Sequence, residues 1–239
     1  LSGGDRTLTA STVNTQSTLA GGNNALTIAG AADIDGAYTG LSSLSISGAA
    51  DLGANVTTTG TQTYAGAVTL SGGARTLTGS SINTQSTLAG GGNALTVSGA
   101  ADIDGEYTGL SSLAVSGTTD LGANVTTSGT QTYTGAVTLS GGDRTLTTTD
   151  SALTFSSTLN SEANQNRALT LALGTGQATF GGAVGGSQAL GALGITGALD
   201  LNAAISGAAS LSVSGASDLG ANVTTTGTQT YTGAVTLSG

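Results

Sequence analysis

Ser2-Gly3-Gly4-Asp5-Arg6-Thr7-Leu8-Thr9 returns as Ser71-Gly72-Gly73-Ala74-Arg75-Thr76-Leu77-Thr78, and again as Ser140-Gly141-Gly142-Asp143-Arg144-Thr145-Leu146-Thr147. The 239-residue chain is therefore a tandem array with a period of 69 residues, and the period has to be read before any single segment. The repeats run over 1–69, 70–138 and 139–239, and they read as one continuous array over 1–239. The third is longer, and its middle, Asn160-Ser161-Glu162-Ala163-Asn164-Gln165-Asn166-Arg167, matches neither of the others.

A unit of this length is too long for one supersecondary motif, and a finer pattern lies inside it. An aliphatic residue followed two positions later by glycine recurs at Leu1, Ile28, Ile46, Leu70, Val97, Val115, Leu139, Ile195, Val213 and Leu237. The glycines are Gly3, Gly30, Gly48, Gly72, Gly99, Gly117, Gly141, Gly197, Gly215 and Gly239; after Leu171 the glycine, Gly174, comes one residue late. Spacings of 27, 18 and 24 residues fill each of the first two repeats, and the third holds spacings of 32, 24, 18 and 24, one whole coil more. Material added in quanta of one coil, with loops of varying length between like anchors, describes a stack of coils. Leu26-Thr27-Ile28, Leu44-Ser45-Ile46 and Val68-Thr69-Leu70 alternate apolar and small polar residues as half-buried strands do, with glycine-rich corners between them. The expected fold is all-β: a parallel β-helix, or β-solenoid, of about ten coils of 18 to 32 residues.

Composition removes much chemistry. His, Cys and Lys are absent, so no Ser-His-Asp triad, cysteine nucleophile, zinc site of the usual ligands or Schiff-base lysine can form. Four Arg face 13 acids for a net charge of -9, which speaks against nucleic acid, whose binding draws on clustered cations. No apolar run is long enough to cross a membrane as a helix. With 41 Gly and a mean hydropathy of +0.19, the chain is still too apolar for a disordered low-complexity tract.

Aligning the coils on their anchors places Arg6, Asp33, Asp51, Arg75, Asp102, Asp120, Arg144, Asp200 and Asp218 at one position, a structural ladder in Arg-Asp-Asp order. Stacked carboxylates about 5 Å apart repel by roughly 1 kcal/mol even in water, and an arginine in the next coil would offset that. Matching Leu8 or Leu77 to the inward Ile34 position requires a one-residue bulge. The densest acidic spots, Asp33 with Asp35 and Asp102 with Asp104 and Glu106, are the calcium candidates, set against a corner-capping role for the same side chains. No cofactor is expected. Tyr38, Tyr64, Tyr107, Tyr133 and Tyr231 occupy repeat-equivalent places: they either fill the interior with their hydroxyls bonded locally, or form an outward row for stacking on sugars. Asn55, Asn124 and Asn222, each in Ala-Asn-Val-Thr, have the form of glycosylation sequons but also suit a column of turn asparagines.

The block Gly-Ala-Asn-Val-Thr-Thr-Thr-Gly-Thr-Gln-Thr-Tyr-Thr-Gly-Ala-Val-Thr-Leu-Ser-Gly at 220–239 resembles the repeat regions of large bacterial adhesins of the filamentous-haemagglutinin type, exported by two-partner secretion, and of related autotransporter passengers. The resemblance extends over essentially the whole chain. It implies a right-handed parallel β-helix in the shaft of an extracellular fibre at a bacterial cell surface or in its matrix, with recognition domains elsewhere. The expected function is non-enzymatic: a structural shaft segment for cell-surface or biofilm attachment. Its expected partners are itself, by coil stacking within a longer chain or filament, and polysaccharide or a host or bacterial cell surface. An alternative is a subunit of a self-assembling extracellular filament. Less favoured is an ice-binding solenoid, because the Thr-rich 57–63 and 126–132 segments are interrupted by coils carrying Ala, Asp and Gly.

Overall fold

The computed structural model describes residues 1–238; Gly239, the last of the anchor-linked glycines, lies outside the described residues. Strands and no helix occur among them, and every strand pairing found is parallel. The protein is a β-solenoid divided into two compact units, Leu1–Gly117 and Thr118–Gly239.

In the first unit each turn has three sides. One row runs Leu8, Ile28, Ile46, Tyr64, Thr84 and Ile103, each the register partner of the next. A second passes through Thr15, Ile34, Leu52 and Leu70. A third passes through Leu19, Tyr38, Val56, Leu77, Val97 and Val115. Alternation decides which residues enter: in Leu44–Ile46 and Val68–Leu70 the outer two side chains of each triplet are buried and the middle one is exposed. Burying each such Leu, Ile or Val contributes about 1.5–3 kcal/mol, so every turn adds a few inward residues to one continuous core. The second unit follows the same plan, with a row through Thr119, Val137, Leu159, Val184, Ile205 and Val223. Phe155 there stacks between Tyr133 and Phe180, with ring centroids 5.3 and 5.5 Å apart.

Each unit thus holds six turns, about 12 in all against the ten expected. Partners along these three rows lie 18 to 21 residues apart, and no turn needs 27. The aliphatic-x-Gly pattern marks a strand end at any of the three corners, so the anchor spacings count sometimes three sides and sometimes four. Leu8 and Leu77 show the consequence. They are one sequence period apart, yet Leu8 pairs with Ile28 and Leu77 with Val56, in different rows. A repeat advances eleven sides, which is three turns and two sides.

Glycine is required where one corner lies directly on the corner before it. Gly99 has φ 147°, and a Cβ there would stand 1.8 Å from the Gly79 carbonyl oxygen. Its own carbonyl accepts the amide of Gly117 at 2.9 Å. Gly30 and Gly48, and Gly197 and Gly215, form the same kind of stacked pair. Gly72 and Gly141 differ, because the nearest atoms to an added Cβ belong to Arg75 and Arg144.

Candidate functional site

The most organised polar chemistry lies inside the turns. In Val-Thr-Thr-Thr-Gly-Thr-Gln-Thr-Tyr, Val56 and Tyr64 set the inward phase, which sends Thr58 and Gln62 inward as well; all four are buried. Gln62 is 0% exposed, yet its amide is satisfied: Nε2 donates to the Thr78 carbonyl at 2.8 Å and to Val56 at 3.2 Å, and Oε1 accepts the Tyr64 hydroxyl at 2.8 Å. The Thr58 hydroxyl donates to the Gly60 carbonyl at 2.7 Å, closing the corner from within. The second unit repeats the arrangement: Gln131 donates to Thr147 at 2.9 Å and to Val125 at 3.3 Å, and accepts from Tyr133 at 3.1 Å. An unsatisfied buried amide would cost about 1–3 kcal/mol, so the motif is a matched set. Sequence reasoning missed this network; the signal was that Gln62 shares the alternation phase of Val56 and Tyr64.

The tyrosines face inward. Tyr38, Tyr64, Tyr107 and Tyr133 are buried, and Tyr231 is half-buried. Of the two readings, filling the interior is the one found, and these four rings form no outward row for sugars. Tyr38 accepts from the Thr15 hydroxyl at 3.0 Å, and Tyr107 lies 2.8 Å from the Thr84 hydroxyl. Burial pushes the Tyr107 phenol up to about 12, and drives Tyr64 upward as well, so both stay neutral.

The Arg-Asp-Asp ladder is not formed as expected. Asp33 does pair with Asp51, and Asp200 with Asp218. Arg6, however, pairs with Leu26, Arg75 with Leu95 and Arg144 with Leu169, on other sides of the turn. The aspartates stack instead on small polar residues: Asn14 precedes Asp33, Asn83 precedes Asp102, and Thr69, Thr138 and Thr236 follow Asp51, Asp120 and Asp218. The rotation of the repeat is the physical reason, since residues equivalent in sequence do not share a row. Asn14 donates to the Asp33 carboxylate at 2.7 Å. Loss of solvation and the charges of Asp35 and Asp51 hold the Asp33 carboxyl above its ordinary value.

The arginines bind carbonyls. Arg75 donates through Nε to Leu52 of the preceding turn at 2.9 Å, through Nη1 to Ala74 at 2.9 Å and through Nη2 to Ser71. Arg144 treats Leu121, Asp143 and Ser140 in the same way. Each guanidinium therefore clamps the Ser-Gly-Gly corner that its own sequence string encodes. Asn55 and Asn124 are also explained locally: their Oδ1 atoms accept the Thr76 and Thr145 amides, both at 2.9 Å, so each caps the following turn of its own unit.

Among the described residues, no three acidic side chains come together as cation ligands, Asp102, Asp104 and Glu106 included. The unmatched middle of the third repeat forms a loop held by the Glu162–Arg167 ion pair at 2.5 Å and by Gln188, which donates to the Gln165 carbonyl at 2.8 Å. No helix among the described residues is long and apolar enough to cross a membrane. Comparison with protein-family profiles, with characterised proteins and with solved structures finds no match to this chain.

Proposed function

We propose that the chain is a non-enzymatic shaft segment of a long extracellular bacterial adhesin or matrix fibre, serving attachment to a cell surface or within a biofilm. The observation that carries this reading is the turn-over-turn backbone pairing in both units around an interior closed by its own side chains. The polar groups of highest order, Gln62, Gln131 and the arginine clamps, are all directed at holding one turn to the next, which is what a spacer pulled along its length requires. The adhesin-like block at 220–239 supports the same reading. Its contact with polysaccharide or a cell surface would then be made by other parts of the fibre or by the exposed Ser and Thr of the outer sides. Immunogold electron microscopy of producing cells tests it: thin unbranched fibres rooted at the surface are expected, and label confined to the cell interior overturns it.

A further inference from the structure

Three tripeptides have one form: Asn55-Val56-Thr57, Asn124-Val125-Thr126 and Asn222-Val223-Thr224. Asn-x-Thr, with x other than proline, is the acceptor sequence for N-linked sugar, but in a threonine-rich chain it also arises by chance. The structure adds what each side-chain amide does. Val56 and Val125 are fully buried, so strand alternation turns the residues on either side of them outward. Asn55, Asn124 and Asn222 are all exposed; Thr57 is exposed and Thr126 half-buried.

The two ends of the amide are used differently. Oδ1 of Asn55 is held by the Thr76 amide and Oδ1 of Asn124 by the Thr145 amide, which fixes the plane of each group. Nδ2 of each has no acceptor among the described residues. Four asparagines outside the tripeptides spend that nitrogen: Asn14 on the Asp33 carboxylate at 2.7 Å, Asn24 on the Gly22 carbonyl at 3.0 Å, Asn93 on the Gly90 carbonyl at 3.0 Å and Asn202 on the Asp200 carboxylate at 3.1 Å. Asn160 holds the Ser187 and Gln188 amides by its oxygen, as Asn55 holds Thr76, but Ser161-Glu162 follows it and supplies no hydroxyl two positions on. At Asn55 and Asn124 a held oxygen, a free nitrogen and an outward threonine coincide.

We propose that Asn55, Asn124 and Asn222 carry N-linked sugar, a modification additional to the attachment role. The donor is a glycosyl phosphate, either a nucleotide-activated sugar or a lipid-linked oligosaccharide, and a transferase carries out the step. A bond forms from Nδ2 to the sugar C1, the bond from C1 to the phosphate oxygen breaks, the phosphate leaves with that electron pair, and Nδ2 gives up one proton to a base on the transferase. Oδ1 takes no part. The product therefore keeps the bond from Thr76 or Thr145, and the turn it caps is not disturbed. In the second unit Val125 pairs with Leu146 and Val223 with Ile205, which belong to different rows, so sugars on Asn124 and Asn222 leave from different sides.

Fragmentation mass spectrometry of the full chain taken from producing cells tests this. Peptides holding Asn55, Asn124 and Asn222 are expected to carry the mass of whole sugar residues on asparagine, and those holding Asn14, Asn24 and Asn93 none. A single sugar residue identifies the nucleotide-activated donor, and one fixed oligosaccharide the lipid-linked donor. Asn55→Asp removes Nδ2 but keeps an acceptor for the Thr76 amide, and Thr57→Ala leaves Asn55 itself intact. Both should abolish the sugar at position 55 while Asn124 keeps its own, and Thr57→Ser should retain it. Unmodified asparagine at any of the three positions in the native chain overturns the proposal. So does sugar that persists on the same peptide in the Asn55→Asp chain, because a hydroxyl would then be carrying it.

Discussion

Gln62 donates its amide to the Thr78 carbonyl at 2.8 Å from inside the core, so one turn holds the next by a side-chain bond in addition to the backbone ladder. Replacing Gln62 with Ala leaves the Tyr64 hydroxyl without its acceptor and opens a cavity. A loss of about 2–4 kcal/mol is expected, confined to neighbouring turns because repeat stability is set by nearest neighbours. Gln229→Ala removes the same residue from an exposed copy and should change stability by no more than about 0.5 kcal/mol in dilute solution. Hydrogen exchange resolved by turn measures both, and equal effects would contradict the role given to burial.

Gly99→Ala should disrupt its corner. The backbone there has φ 147°, and the methyl would meet the Gly79 carbonyl oxygen at 1.8 Å, its nearest neighbours being backbone atoms of Gly79 and Ser80 and not a flexible side chain. Gly142→Ala meets only the Arg144 guanidinium, at 3.4 Å, and that side chain can move. Thermal unfolding of the two variants should show a drop of several degrees for the first and almost none for the second.

Arg75→Lys should cost about 1–3 kcal/mol, because a single ammonium cannot reach the Leu52, Ser71 and Ala74 carbonyls together. Arg6→Lys should cost less, since Arg6 has no bond to a preceding turn among the described residues. Chemical denaturation of the two variants, compared at low protein concentration, checks the order.

Asp33 and Asp150 should titrate in opposite directions. The Asp33 carboxyl is raised, so its ionisation is disfavoured in the folded chain: stability is greater below the ordinary carboxylate range and falls as pH rises through the raised value. Asp33→Asn should therefore stabilise the protein at pH 7 and give no gain at pH 3, with the benefit shrinking in about 1 M salt, where the screening length is near 3 Å. Asp150 is lowered because the Thr175 amide and hydroxyl donate to it at 2.8 and 3.0 Å. Its contribution is present above the ordinary range and is lost as pH falls through the lowered value. Carboxyl titration by NMR should place the two midpoints on either side of 3.8.

The strands of this fold were legible residue by residue. Leu26-Thr27-Ile28 and Leu44-Ser45-Ile46 announce their inward phase, and the structure pairs them in that phase. The number of turns was less legible, because Ile46-Ser47-Gly48 and Leu70-Ser71-Gly72 look alike while marking corners between different sides. The arginine column failed for the same reason: Arg75 is equivalent to Arg6 in sequence but stands a side away from that row. Gln62 escaped notice because a polar residue in a Thr-rich string reads as surface, and only its alternation with Val56 and Tyr64 shows otherwise.

The eleven-side advance of the repeat also governs valency. Within Leu1–Gly117 the strings Arg6–Thr15 and Arg75–Thr84 carry nearly the same outward residues, but their equivalent positions look out over different sides. A planar partner that recognises this string can engage one copy at a time, while two partners approaching from different directions can each engage their own.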